Sequence, residues 1–476
     1  MKARQSAGFS MLFAFLFLFL SSSSSSALEM KAGTAKVVIT PSDPMGRVMV
    51  MGSKATGVMH DIYARALVLD DGAKKLVIVT YDLNCLDVAT PIIRSRCLHE
   101  LGIEPAYLVM MATHNHAAPI QITPSNFDYG RVLADKIFNL IKDAIAEERG
   151  PVKLYFGSGP GDFVRSDPRY PRVYGWTGKP VDNEVQLLKV TEGDKTIALL
   201  FNQATHPMAS SFSRINPSHP GYAMDELERK IPGALAMYAD ACGGDQFATI
   251  GEIMLAPLWQ VKQLSRRLAK TVLEISSGKM IEVTGGIKSE LKVISLPLGA
   301  PISYQAAREL AESKKIKTDV AFIPYPQHGR GSNWLRSLLQ HYDQRIPFPT
   351  RSDEYICTDD AFLVKQLPEP REFPCNFEEA IVAAIGPLIF VSMQGEVCAP
   401  IGKRIKDTFR KDRPIMVSAY MGEHNLYIPT RRLVEIEAYQ SQVIQSQYAS
   451  PVGWSPEVED EMVSGTVKLI KQVVGK

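Results

Sequence analysis

The sequence predicts an α/β protein: one large domain, residues 28–476, built from mixed β-sheets and long loops. Three observations predict it. Apolar, β-branched runs come in hairpin-like pairs, helical patterns fall between them without strict βαβ alternation, and no Gly/Ser-rich or Pro-rich linker divides the chain. With 45% hydrophobic residues among 476, there is apolar material enough for a sizeable core.

The elements follow in order. KVVIT, IYARALVLDDGAKKLVIVTYDL and AYLVMMATH read as strands, with Asp71-Gly72 turning a hairpin inside the second. VLADKIFNLIKDAIAEE has helical spacing and stops before Gly150-Pro151. NEVQLLKVTEGDKTIALLFNQATH is another hairpin, turning at Glu192-Gly193-Asp194. LWQVKQLSRRLAKTVLEISSG is an amphipathic helix closed by Gly278. EEAIVAAIGPLIFVSMQGE reads as a buried strand pair around Gly386-Pro387, and PEVEDEMVSGTVKLIKQVV as a terminal helix. Residues 301–376 are rich in Pro, Gly, Arg and aromatics and read as long loops, either a binding lid or a surface excursion.

The first 27 residues differ from the rest. Lys2 and Arg4 precede the apolar run Met11–Leu20, and Ser25 and Ala27 stand at cleavage spacing. This is the pattern of a secretory signal peptide, and the run is shorter than the ~20 residues of a membrane span. The reading places the mature chain in a secreted or periplasmic location. Lys+Arg number 53 and Asp+Glu 51, so no basic excess speaks for nucleic acid as a partner. The six cysteines are Cys85, Cys97, Cys242, Cys357, Cys375 and Cys398. They form no close metal-binding pair; export permits disulfides, and buried thiols suit a chain of this size equally.

MATHNHAAP raises the chemical question. His114 and His116 follow an apolar strand two residues apart, where extended chain would aim both imidazoles to one side. Nine histidines placed at random give about 0.2 such pairs. The pair is either metal-ligating or a hydrogen-bonded loop pair. His206 leaves the apolar strand ALLFNQATH in the same way. Glu396 follows a buried-looking strand, where a carboxylate must be exposed, paired or metal-bound. Tyr427 follows the apolar segment PIMVSAY. Asp82, at the end of VIVTYDL, reads either as support for a metal-binding histidine or as a strand-end cap. His219, His328, His341 and His424 read as loop residues.

Taken together, these segments resemble the catalytic domain of the neutral (non-lysosomal) ceramidases. The resemblance rests on GVMHDIYARALVLDDGAKKLVIVTYDL, THNHAAP, FVRSDP, NQATHPMASS, HPGYAMDELE, ADACGGDQFA, MQGEVCAPIGKRI and YIPTRRLVEIEAYQ, which keep the family's order across about residues 33–450. It implies a zinc amidase in which His114, His206, Glu396 and Tyr427 hold the metal. It implies that His116, Arg165 and Tyr439 face the scissile amide. The implied substrate is ceramide or a related N-acyl lipid, cleaved by zinc-activated water to a fatty acid and an amine. Peripheral contact with a membrane is compatible with such a substrate.

The resemblance has three departures. Where the family carries a serine after its Gly-Asp, GGDQFAT places Phe247, which can neither attack nor hydrogen-bond as a hydroxyl does. THNHAAP lacks the family's Ser-Gly. The chain ends at Lys476, so an immunoglobulin-like C-terminal domain is not expected. Two alternatives therefore stand beside ceramide cleavage: the same zinc chemistry on another amide or ester, and a non-catalytic binding homologue.

Overall fold

KLVIVTY and LVMMA are apolar at consecutive positions rather than alternating. In the computed structural model the strands Lys75–Tyr81 and Leu108–Ala112 are accordingly buried on both faces. The structure describes residues 29–476 except 122, 178–180, 314–332, 349–373, 423–425, 447, 449 and 476. The predicted leader, Cys357, His328 and His424 lie outside the described residues.

The larger sheet has eight strands. Their order is Lys31–Val38, Tyr63–Asp70, Lys75–Tyr81, Leu108–Ala112, Ile415–Met421, Leu388–Gln394, Cys375–Ile385 and Ile287–Pro297. Lys75–Tyr81 and Leu108–Ala112 are parallel, as are Leu388–Gln394 and Ile415–Met421, and the remaining pairs are antiparallel. The sheet is mixed, as expected. The hairpins at Asp71-Gly72, Gly193-Asp194 and Gly386-Pro387 all form.

The middle of this sheet is a seam. Leu108–Ala112 and Ile415–Met421 run antiparallel and pair only at Met111–Met421, close to both C-terminal ends. The two halves of the sheet therefore point their chain ends at each other. A second sheet, with strand order Leu235–Tyr238, Lys195–Gln203, Glu184–Glu192, Val152–Pro160 and Ile281–Glu282, brings another pair of parallel strand ends to the same place. Asp240, just past Leu235–Tyr238, joins them: its N–H points at the Ala112 carbonyl and its carbonyl accepts from Ala419 N–H at 3.0 Å.

Helices cover these sheets with the faces the periodicity predicts. Phe127–Ala146 buries Leu133, Ile137, Leu140, Ile141 and Ala144, and Leu258–Ser277 buries Val261, Leu264, Leu268 and Val272. Each fully buried Val or Leu contributes about 1.5–3 kcal/mol. Residues 301–376 differ from the reading as unbroken loops: Tyr304–Glu312 and Asn333–Asp343 are helical, and each buries apolar residues against the other. His219 and His341 also lie in helices rather than loops. Cys85, Cys97, Cys242 and Cys398 are free, buried thiols, and Cys375 is buried as well. No helix among the described residues is long and apolar enough to cross a membrane.

Candidate metal centre

Chain ends at the seam deliver polar side chains. After Leu108–Ala112 the backbone turns at His114, whose φ of 55° is a left-handed conformation unusual for a residue other than glycine. Such strain costs roughly 1–3 kcal/mol and concentrates at functional sites. The two histidines thus converge because of a turn, not because an extended strand aims them together. Asn115 locks that turn. Its side chain donates to the carbonyls of Asp82 at 3.0 Å and Asn216 at 2.8 Å, and its Oδ1 accepts from Ala117 N–H and the Ser218 hydroxyl.

Glu396 and Tyr427 arrive by a different device. The short strands Glu396–Val397 and Tyr427–Ile428 pair in parallel with Glu396 opposite Tyr427. Gly395 precedes them at φ 88°, and a Cβ there would stand 2.7 Å from the Leu426 carbonyl oxygen. A Cβ on Gly244 would meet the Glu396 carbonyl oxygen at 2.4 Å, so glycine lets the loop carrying Asp245–Phe247 approach the Glu396 strand.

The side chains meet in a buried pocket. Glu396 Oε2 lies 3.2 Å from His114 Nε2 and 3.2 Å from His206 Nε2, and the Tyr427 hydroxyl is 3.0 Å from His206 Nε2. His116 Nε2 is 2.9 Å from His114 Nε2, with its Nδ1 3.3 Å from the Met51 sulfur. The ligating atoms of His114, His116 and His206 all lie within 4.8 Å of one another.

The contacts call for positive charge among these groups. His206 Nδ1 faces two carbonyl oxygens, Gly243 at 3.0 Å and Gln246 at 3.2 Å, so in the neutral ring it carries the proton. Nε2 is then a bare lone pair, yet it faces a carboxylate oxygen. Two buried acceptors in contact repel, and the Tyr427 hydroxyl can satisfy only one of them. Positive charge there, from a second proton on the ring or from a metal ion, turns the repulsion into attraction. Ligands around a tetrahedral zinc at about 2.0–2.1 Å stand about 3.3 Å apart, close to the separations found.

Electrostatics agree with a ligand set. Burial drives His114 and His116 toward the neutral imidazole. Burial opposes charge on Glu396, but positive charge on the His114 and His206 rings and hydrogen bonds from them outweigh it and hold the carboxyl well below the usual range, the role a bound cation would take over. Burial lifts the Tyr427 phenol well above its ordinary value.

Neither a protein-family model nor a curated protein matches the sequence. Solved structures do. A structure described as a ceramidase complexed with C2 aligns with TM-score 0.69 at 15% identity, covering 94% of this chain and 76% of that one. The neutral ceramidase from Pseudomonas aeruginosa aligns with TM-score 0.66 at 16% identity, covering 94% of this chain and 75% of that one. The chain has the neutral ceramidase fold.

Within this ceramidase fold, His114, His206, Glu396 and Tyr427 come together as a single cluster, with His116 against it. Tyr439 stands beside Tyr427, ring centroids 5.7 Å apart and nearly perpendicular. Arg165 lies one strand pairing away, opposite Phe247 in a short ladder, and its Nη2 donates to the Gly251 carbonyl at 3.1 Å. Phe247 itself is buried against the cluster, its ring stacked on His206 at 4.6 Å. The Asp82 carboxylate takes Arg65 at 3.0 Å and Tyr63 N–H at 2.9 Å; its backbone carbonyl is what holds Asn115. Asp245 accepts from Ala399 N–H at 2.7 Å, at the start of the helix Ala399–Phe409.

Sequence reasoning missed Arg169. Its guanidinium forks onto both oxygens of Asp167, and its Cζ stands 4.0 Å over the Tyr439 ring. Asp167 also accepts from the Gln440 side chain at 2.8 Å, next in sequence to Tyr439. Only the spatial meeting of 167–169 with 439–440 reveals this; neither segment carries a signal alone.

Proposed function

We propose that this chain is a zinc-dependent amidohydrolase that cleaves the N-acyl amide of ceramide or a related N-acyl lipid. The observation that carries the proposal is the convergence of His114, His206, Glu396 and Tyr427 on one point, in contacts that a cation would resolve. The likeness to two ceramidase structures supports the substrate class. In this reading 1–27 is an export signal and 28–476 the catalytic domain, acting outside the cytoplasm.

Those four residues would hold the zinc. When bound, it supplies Lewis acidity that polarises an amide carbonyl and makes water a nucleophile near neutral pH. Two carbonyl oxygens fix the His206 ring, and Asn84, its side-chain amide 3.1 Å from His114 Nδ1, orients that ring. His116, neutral through burial, is placed to accept a proton and return it to the leaving amine. Tyr439 offers a hydroxyl to the developing oxyanion, with Arg169 and Asp167 setting its position, and Arg165 serves from the neighbouring ladder. Phe247 stands beside His206 where the resembled family has its serine, so in this reading water attacks directly.

A second ligand set has its own support: His114, His116 and His206 also satisfy the spacing of a three-histidine site. His116→Ala separates the two. Retained metal with lost turnover assigns His116 to proton transfer; lost metal makes it a ligand.

The test of function is release of fatty acid from ceramide by the purified chain, abolished by a chelator and restored by zinc. Turnover of other amides or esters with none of ceramide would move the substrate class. No turnover on any acyl substrate would leave a binding protein.

A further inference from the structure

We propose that the loop Gly251–Pro257 and the outer face of the helix Leu258–Ser277 form a docking surface for an anionic lipid bilayer, placed at the border of the candidate metal centre. This inference rests on the reading above, in which the substrate is a membrane lipid.

The loop exposes apolar side chains where burial would be expected. Ile253 is 37% exposed, Leu255 42% and Trp259, the second residue of the helix, 65%. Glu252 and Leu255 exchange backbone hydrogen bonds at 3.1 and 2.9 Å, so the chain reverses tightly with Ile253 and Met254 at its tip. Ile253 sits there at φ 44°, a conformation that a β-branched side chain rarely adopts. Surrounding bonds hold it in place. Arg165 donates to the Gly251 carbonyl, Ala209 N–H donates to Met254 O at 2.9 Å, and Ala256 N–H donates to Ala209 O at 3.0 Å. Ala209 is three residues beyond His206. The exposed tip is thus fastened to the segment that carries a candidate metal ligand.

The helix supplies the charge. Val261, Leu264, Leu268 and Val272 face the core. Trp259, Lys262, Arg266 and Lys270 recur at helical spacing, and all four are exposed. Lys262 lies 5.6 Å from the Tyr222 ring, and Lys270 pairs loosely with Glu274 at 3.4 Å on the exposed surface. Nearby Glu226 is taken by Arg229. An aliphatic tip, an interfacial tryptophan and a row of cations are the features that partition a surface into an anionic headgroup layer. A second copy of the chain fits less well, because a two-fold contact would set the cationic row against itself.

The test is co-sedimentation of the full chain with vesicles of phosphatidylcholine alone and of phosphatidylcholine mixed with phosphatidylglycerol. The chain should bind the anionic vesicles, and bind them less as salt rises. Leu255→Ser with Trp259→Ala should weaken binding by about tenfold or more. Lys262→Glu with Arg266→Glu should remove the preference for phosphatidylglycerol. Both pairs should hydrolyse detergent-dispersed short-chain ceramide as the wild type does, and ceramide embedded in vesicles more slowly. Variants that bind vesicles like the wild type overturn the proposal, as does a dimer that Trp259→Ala dissociates. Hydrolysis of dispersed ceramide without any vesicle binding overturns the docking surface alone. Vesicle binding without hydrolysis leaves the docking surface standing and counts against the enzymatic reading.

Discussion

Phe247 lies flat on His206, ring planes 16° apart and centroids 4.6 Å apart, at the position where the resembled family carries serine. The stack fixes the imidazole from one side while two carbonyls fix it at Nδ1. Phe247→Ser should therefore harm rather than restore. Truncating a buried phenylalanine costs about 3–5 kcal/mol. Urea unfolding should show that loss, and the fatty-acid release assay should show reduced turnover. A more active serine variant would mean that the ring had been blocking a nucleophile's place.

Glu396→Gln keeps the side chain's shape and removes its charge. The cluster loses the one carboxylate found in it among the described residues, so metal affinity should fall steeply while the ladder with Tyr427 persists. Titration with zinc against a competing chelator checks this. Affinity equal to the wild type would place the cation elsewhere, for instance among the three histidines.

Arg169 acts through Tyr439. Arg169→Lys preserves charge but not the two-pronged grip on Asp167, so Tyr439 should lose its fixed position. We expect kcat to fall about tenfold, less than the roughly 10²–10³ of losing an oxyanion donor outright, with bound metal unchanged. A parallel loss of metal would show that the pair supports the ligand cluster instead.

His219 gives a stability prediction. It is buried in the helix Ser218–Lys230, its Nδ1 accepts from Met208 N–H at 2.9 Å, and burial pulls its pKa from 6.5 to about 3. The unfolded chain thus takes up a proton at higher pH than the folded one. The neutral ring's contribution is intact above pH 6.5 and erodes as pH falls toward 3, by about 1.4 kcal/mol per pH unit. Urea midpoints measured from pH 7 to pH 4 should fall, and His219→Gln should flatten that slope. An equal slope in the variant would assign the acid sensitivity to other groups.

Much of the fold was legible because local signals agreed with it. Asp71-Gly72 and Glu192-Gly193-Asp194 turn where their chemistry says, and the helix Leu258–Ser277 buries the stripe its spacing predicts. The histidine pair was legible for a partly wrong reason, since His114 reverses the chain at φ 55° instead of extending it. The seam at Met111–Met421 was not legible, because strand order depends on pairings hundreds of residues apart. For the same reason Arg169, which meets Tyr439 only in space, had no signature to find.

The most direct measurement is the metal content of the purified, folded protein. The account predicts about one zinc per chain, lost from His114→Ala and from Glu396→Gln while near-ultraviolet circular dichroism stays unchanged. Folded wild-type protein that holds no stoichiometric metal, and takes up none when zinc is supplied, would contradict it.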